Sequence, residues 1–448
     1  MREVSSAPVV ESLQWNFSSR DHRFNTFEGT RVIEPSLLFV TLVYVGVVVS
    51  YGIAQGRYAR QYLAKPPRPA NLVWPSVDLV LPCYNEDPDV LAKCCDSVDH
   101  LEYPGRLRFF LVDDGSSNRE ALDPVYRRYQ RRRHWTVMKR PRLGKREAQA
   151  AAIRRGIGEL VVTIDSDTVL QPDALRKLVP AFAEDDVGAV TGDVRALNWD
   201  HNWLTRLLDE RYRLLFEQER AAQSHVGAVL CCSGPFSAYR REAVKAVLKS
   251  YREQTFLGLP CITGDDIHLT NLVLAQKRYR SVYEPSAKAQ TIVPTTLRRY
   301  ARQQARWNRS FYRELLPTLR AIEGRAPYLL LDVTARLVLP MLLTVAIVLV
   351  WRQAADGRAM GGLLSLGVMG IAGGGLLTRK TAQPRPNHAF VLWYGLIYAL
   401  LLIPVRFWAL ATLRSNGWGT RGMPRRSARK RIRTVAKATT TRAAQAIA

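Results

Sequence analysis

The chain predicts an α/β protein: a largely parallel sheet covered by helices, with transmembrane and interfacial helices at both ends. Three observations predict it. Short β-branched runs alternate with helical patterns between residues 75 and 295, the pattern of strands joined by crossover helices. Apolar residues bunch into windows of roughly 20 at 35–54, 327–351, 359–378 and 388–412, the length that crosses a bilayer. Short acidic motifs follow the strand-like runs, where ligands bind beyond the carboxyl ends of strands.

At 448 residues the chain accommodates one large catalytic domain plus membrane segments, at about 100–200 residues per domain. A polar segment, 1–34, precedes the first apolar helix, 35–55. Pro35 to Ala54 carries no charge and lies behind a polar stretch, which argues for a span and against a cleaved leader. Residues 56–74, with Lys65-Pro66-Pro67-Arg68-Pro69, read as a linker. The catalytic domain then runs from 75 to 295, with strands at Val77 to Leu81, Leu107 to Val112 and Leu160 to Ile164. Val90 to Val98 has helical spacing, and Trp199 to Gln223 reads as one long amphipathic helix.

Residues 296–325 mix arginine and aromatic side chains just before an apolar segment, which suits helices lying in the membrane interface. Membrane helices follow at 326–412. Asp332 and Arg336 sit near the start of the second span, which is expected to begin at about Leu337. Residues 359–378 read as a return span. Pro404 and Arg406 interrupt the last segment, which is therefore expected to be broken or interfacial, leaving the basic tail 413–448 inside.

A net charge of +26 invites a nucleic-acid reading, but its distribution opposes that. Arg57, Arg60, Lys65 and Arg68 follow the first span, and Arg414 to Arg442 contains no acidic residue. Such charge marks the cytoplasmic side and is drawn to anionic headgroups at about 1 kcal/mol per charge. Membrane lipid, not nucleic acid, is the expected partner. The six cysteines show no paired zinc spacing and are expected to be thiols in a reducing cytoplasm.

Asp165-Ser166-Asp167 follows a strand. Its two carboxylates with one gap suit Mg²⁺ or Mn²⁺ bridging a diphosphate, although a turn or a helix cap would use the same residues. Asp113-Asp114-Gly115-Ser116 also follows a strand. Asp114 there can accept from a base or ribose, with Tyr84 against the base and Glu86 beside it, or the segment can be an ordinary turn. Lys145 and Arg146 after Gly144 can neutralise phosphate or simply begin a helix. Gly264-Asp265-Asp266 is a third acidic site, and transfer to a sugar hydroxyl needs a base. Asp266 is the candidate, with helix capping the alternative for one of the pair. In Gln303-Gln304-Ala305-Arg306-Trp307, a guanidinium and an indole can meet pyrophosphate and a sugar face or anchor the interface.

With these motifs in order, the chain resembles the family-2 processive glycosyltransferases of GT-A fold, through their DDG, DxD, (T/G)(E/D)D and QxxRW signatures. Hyaluronan synthases are the nearest likeness, with nodulation chitooligosaccharide and chitin synthases next. Cys232-Ser233-Gly234-Pro235, Cys261 ahead of Asp266, the stretch Trp307 to Glu314, and Gly417-Trp418-Gly419-Thr420-Arg421 carry that likeness. The resemblance implies that Asp165 and Asp167 bind UDP and metal, that Asp266 is the base, and that Gln303, Arg306 and Trp307 hold pyrophosphate and acceptor. It further implies that Cys261 lies near the acceptor in a priming loop, with Asp265, Gly234 and Pro235 alongside. Trp418 and Arg421 would belong to a cytoplasmic segment closing on the nucleotide. Hyaluronan synthases usually have a second N-terminal span and a further span after that segment, and the chain is expected to have a shorter membrane part.

The expected enzyme is a multi-pass inner-membrane transferase of a bacterium with a cytoplasmic catalytic domain, extending a polysaccharide acceptor from UDP-sugars. UDP-GlcNAc with UDP-GlcA is the first reading, and a chitin-like N-acetylglucosamine polymer or β-glucan the alternative. A membrane scaffold is the non-enzymatic alternative, and a scaffold needs no base. Oligomeric state is not specified by the sequence.

Overall fold

A computed structural model describes residues 34–66, 73–357, 359–377 and 388–416. The strands are β1 (Val77–Cys83), β2 (Leu107–Asp113), β3 (Trp135–Lys139), β4 (Leu160–Ile164), β5 (Thr168–Leu170), β6 (Val187–Ala196), β7 (Phe236–Arg240), β8 (Thr255–Phe256), β9 (Leu259–Pro260) and β10 (Arg280–Thr291). Eight of them form one sheet in the order β3-β2-β1-β4-β7-β6-β10-β5, and β8 with β9 make a separate hairpin. The sheet is mixed, as in GT-A folds, because β7 and β5 run against their neighbours.

Every residue of β1 is buried, which is why Val77 to Leu81 is apolar on both faces apart from Asp78. Its lone charge, Asp78, is compensated by Arg108 (2.6 Å), the Gly158 amide (2.8 Å) and Arg241.

The helices up to β10 are α1 (Pro35–Leu63), α2 (Pro88–Asp99), α3 (Arg119–Gln130), α4 (Lys145–Arg155), α5 (Ala174–Leu178), α6 (Trp203–Leu214), α7 (Ala221–His225), α8 (Arg241–Arg252) and α9 (Asp265–Ala275). After them come α10 (Leu297–Arg313), α11 (Leu315–Ile322), α12 (Pro327–Ala355), α13 (Ala359–Leu377), α14 (His388–Ile397) and α15 (Ile403–Ala411).

Several boundaries differ from the sequence expectation. α1 runs nine residues past Ala54, through Leu63, so much of the expected linker is helical. The face Gln55, Gly56, Ala59 and Tyr62 is buried, and the Tyr62 hydroxyl donates to the Tyr283 carbonyl of β10. The helix ends just ahead of Pro66, since a residue before proline is pushed out of the α region.

The long amphipathic helix begins at Trp203, not Trp199. Asn202 is extended and its side chain accepts from the Thr205 amide, with Thr205 reciprocating in a capping box, which fixes the start. It continues through a π segment, Leu215–Arg220, into α7.

Three helices among the described residues are long and apolar enough to cross a membrane: Pro35–Leu63, Pro327–Ala355 and Leu392–Ala411. The expected return span is shorter, apolar over Ala359–Gly375. The final segment is helical across Pro404 with a π turn at Tyr398–Leu402. Arg406 is accommodated by donating to Asn308 Oδ1 (3.1 Å) and the Arg336 carbonyl (2.7 Å).

Candidate active site

The sheet delivers its chemistry to one edge. β4 ends at Ile164, so Asp165-Ser166-Asp167 emerges there, and β1 and β2 end beside it with Tyr84-Asn85-Glu86 and Asp114. Because β7 is antiparallel and Ile164 pairs with Phe236, its beginning lies beside the end of β4. That reversal brings Gly234 and Pro235 to the same place.

Gly234 marks the centre. A Cβ on it would lie 3.3 Å from Asp165 Oδ2, 3.4 Å from Lys145 Nζ and 3.7 Å from Asp266 Oδ2. Lys145, first residue of α4, pairs with Asp165 and Asp265 at 2.7 Å each. Burial works against the charged ammonium, but those two carboxylates prevail and hold its pKa well above the usual lysine range.

The aspartates of α9 are driven apart. Burial tends to raise Asp265, yet the Lys145 charge and hydrogen bond override it and leave the carboxyl below the usual range. Burial and then the neighbouring Asp265 charge raise Asp266. Neighbouring carboxyls with opposed shifts are the pattern of a general base beside a fixed anion. Asp266 Oδ1 accepts from its local Ile267 amide, 2.9 Å, and the Cys231 thiol is hydrogen-bonded to its carboxylate.

Asp167 accepts from Thr291 Oγ1 at 3.2 Å. Glu86 is buried and accepts from Ser166 Oγ at 2.5 Å, so it orients the DxD turn. Asp114 spends its oxygens on the next loop: Arg142, the Leu143 amide (2.9 Å) and the Gly144 amide (2.9 Å). The Arg142 guanidinium lies 3.4 Å from the Tyr84 ring centroid. Tyr84, Arg142 and Asp114 are therefore one unit shaping that loop. Arg146 departs from the expected phosphate role, because its side chain donates to the Cys261 and Thr263 carbonyls, 2.9 Å each.

Cys261 follows the β8–β9 hairpin, with its thiol buried and pushed up by that burial. α10 carries Gln303, Arg306 and Trp307 at three- and four-residue spacing, hence on one face. Trp307 is 40% exposed, so its indole is open to contact. One turn on, Ser310 packs against Gly264, which sets this face beside the loop leading to Asp265 and Asp266. Tyr212 faces Asp167, Arg306 and Asp165, and burial, then Asp167, raise its hydroxyl.

Tyr212, Arg142 and Cys231 were not identified from sequence. Cys231 adjoins the quoted Cys232-Ser233-Gly234-Pro235 stretch, and Arg142 lies three residues before Lys145. Tyr212 sits in an amphipathic pattern that gives no sign of it. Trp418 and Arg421 lie outside the described residues. All six cysteines are free thiols.

Among the described residues no three His, Cys, Asp or Glu side chains form a closed metal cage. Mg²⁺ and its relatives typically take one or two carboxylates and complete their shell with substrate phosphates and water. The pair Asp165 and Asp167, with Asp165 Oδ2 turned to the open face of Gly234, fits that donor set.

A family model described as glycosyltransferase-like family 2 matches residues 75–310. The chain belongs to this glycosyltransferase family. A Rhizobium sp. (strain N33) protein named N-acetylglucosaminyltransferase is 40% identical over 353 residues, 78% of each chain. One of the same name from Azorhizobium caulinodans is 33% identical over 397 residues, 87% of this chain and 99% of that one. The mannosyltransferase PcManGT from Pyrobaculum calidifontis, solved with GDP-Man and Mn²⁺, aligns with a TM-score of 0.59 at 21% identity, covering 86% of this chain and all of that one. That likeness establishes the fold. The residues gathered around Gly234, namely Lys145, Asp165, Asp265 and Asp266, all lie within the matched span.

Proposed function

We propose that this transferase is an inverting N-acetylglucosaminyltransferase. It adds sugar from UDP-GlcNAc to a growing chitin-like acceptor at the cytoplasmic face of a bacterial membrane. The observation that carries the reaction is the convergence of Asp165, Lys145 and Asp266 on the face of Gly234, which puts donor-side and base-side groups around one small gap. The sugar is supported by relatives named N-acetylglucosaminyltransferase, which favour one donor over the alternating UDP-GlcNAc and UDP-GlcA of a hyaluronan synthase.

In this mechanism Asp266 takes the proton of the acceptor hydroxyl as its oxygen attacks the anomeric carbon. The bond to the donor's β-phosphate oxygen breaks, UDP leaves, and the configuration inverts. Mg²⁺ or Mn²⁺ held by Asp165 and Asp167 would supply charge stabilisation to the departing diphosphate. Lys145 restrains Asp165 and Asp265, so Asp266 is left as the carboxyl available for the proton. Arg306 and Gln303 face the pyrophosphate side, and Trp307 offers a sugar platform.

The test is UDP release by purified protein in detergent with Mg²⁺ or Mn²⁺, giving UDP-GlcNAc and UDP-GlcA separately and together. Release with UDP-GlcNAc alone is expected. Release that requires both donors would replace this reading with the hyaluronan one, and silence with every donor would remove the enzymatic assignment of this sugar class.

A further inference from the structure

The last turn of α10 holds an arginine that the mechanism does not use. Arg313 is 6% exposed, and among the described residues its partners are oxygens without formal charge. Nε and Nη2 donate to the Leu413 carbonyl (3.0 and 2.6 Å), Nη2 also to the Ser415 carbonyl (2.7 Å), and Nη1 reaches Thr263 Oγ1 (3.4 Å).

A buried guanidinium without a carboxylate carries a desolvation cost that an apolar side chain would avoid. What it provides is geometry, because its planar fork fixes several acceptors at once. Here the acceptors belong to two segments far apart in sequence: the stretch leaving α15 and the loop between β9 and α9.

That loop is pinned at several points. Asn416 Nδ2 donates to the Pro260 carbonyl (2.7 Å) beside Arg313's contact. Arg146 holds the Cys261 and Thr263 carbonyls as well, and the adjacent Lys145 joins Asp165 to Asp265. The loop ends at Gly264, directly before the two aspartates. Hydrogen bonds, joined through the backbone at Thr263 and between Arg146 and Lys145, therefore run from the end of the last apolar helix to Asp265.

We infer that Arg313 is a positioning residue that couples the seating of residues 413–416 to the placement of Asp266. The inference rests on the proposed role of Asp266. It differs from a purely structural role in what it spares: Asp165 and Asp167, the donor-side carboxylates, lie outside the hydrogen bonds that Arg313 makes.

The experiment compares wild type, Arg313→Lys and Asn416→Ala in detergent, reading kcat, KM for UDP-GlcNAc, UDP affinity and melting temperature. Lysine keeps the charge but cannot span Thr263 and both carbonyls. Loss of about ten- to a hundredfold in kcat is expected for Arg313→Lys, since small misplacements cost that much, with UDP affinity and melting unchanged. Asn416→Ala should fall in the same direction by less, and the double variant should lose less than the two effects combined. Wild-type kcat in both single variants overturns the coupling. Parallel loss of UDP affinity and kcat also overturns it, in favour of general scaffolding. If Arg313→Lys does not fold, Asn416→Ala alone decides. A wild-type protein inactive with UDP-GlcNAc would instead count against the proposed sugar, leaving this geometry to be read with the active donor.

Discussion

Asp266 differs from Asp165 and Asp265 in forming no ion pair with Lys145 among the described residues. Burial and the adjacent Asp265 raise its pKa, whereas Lys145 keeps Asp265 below the usual range. The sign for activity follows directly: Asp266 accepts a proton only as carboxylate, so transfer is present above its raised pKa and is lost as pH falls through it. The acid limb of kcat/KM is expected above the ordinary carboxylate range, and Asp266→Asn should remove that limb and lower kcat by about 10²–10⁴-fold while UDP still binds. A pH profile unchanged by the variant would sink the assignment. Gly234 tests the same centre from the other side. Its absent side chain leaves the gap between Asp165, Lys145 and Asp266, with contacts of 3.3–3.7 Å for an added Cβ. Gly234→Ala should therefore cost about tenfold or more in kcat/KM by displacing substrate, with little change in melting. Equal kcat/KM would show that the gap is not substrate space.

Between elements, the contact of α9 with α10 is the one the site depends on most closely. Gly264 holds φ +74° at the start of α9, and a Cβ there would come within 2.6 Å of Ser310 Cβ. Gly264→Ala adds both a left-handed strain and a clash, so a loss of about 2 kcal/mol or more is expected in denaturant unfolding. Adding Ser310→Gly should restore the clash component alone, and failure to restore any of it would mean that the backbone term dominates. The strands and acidic turns around this contact are legible in sequence, because each is a local pattern: a continuous β-branched run and the carboxylates directly after it. The reversed direction of β7 is not, since nothing in Phe236 to Arg240 distinguishes an antiparallel insertion from another parallel strand. Yet that reversal brings Gly234 to Asp165. The pairing of Lys145 with Asp265, 120 residues later, and the turning of Arg146 to loop carbonyls are likewise invisible, because they depend on the final packing of α4 beside α9.

Across the whole molecule, buried polar groups join the catalytic domain to α1 and α12 beside the apolar core that they share. Asp332 of α12 is fully buried and accepts from Tyr51 of α1 (2.7 Å), Gln223 of α7 (2.8 Å) and Arg336 (3.1 Å). Arg336 continues to Glu219 (2.7 Å), which also pairs with Arg211 of α6 (2.7 Å). The sequence reveals Asp332 and Arg336 as charges near a span, but not that they pair with the helix beneath the catalytic sheet. Hydrogen bonds have direction where apolar contacts do not, so this network fixes the rotation of α1 and α12 against that helix. Removing one member leaves the others buried and short of partners, which is costlier than never having built the pair. Asp332→Ala should therefore destabilise the folded protein by about 3 kcal/mol or more, and Asp332→Asn by less, because the amide retains one oxygen for Tyr51 or Gln223. UDP affinity of the folded fraction should persist in both variants, since none of these groups touches Asp165 or Asp167 in the network described. Unfolding followed in detergent, with UDP titration on the same sample, separates the two effects. Wild-type stability in Asp332→Ala would mean that apolar packing alone holds α1 and α12 to the catalytic domain.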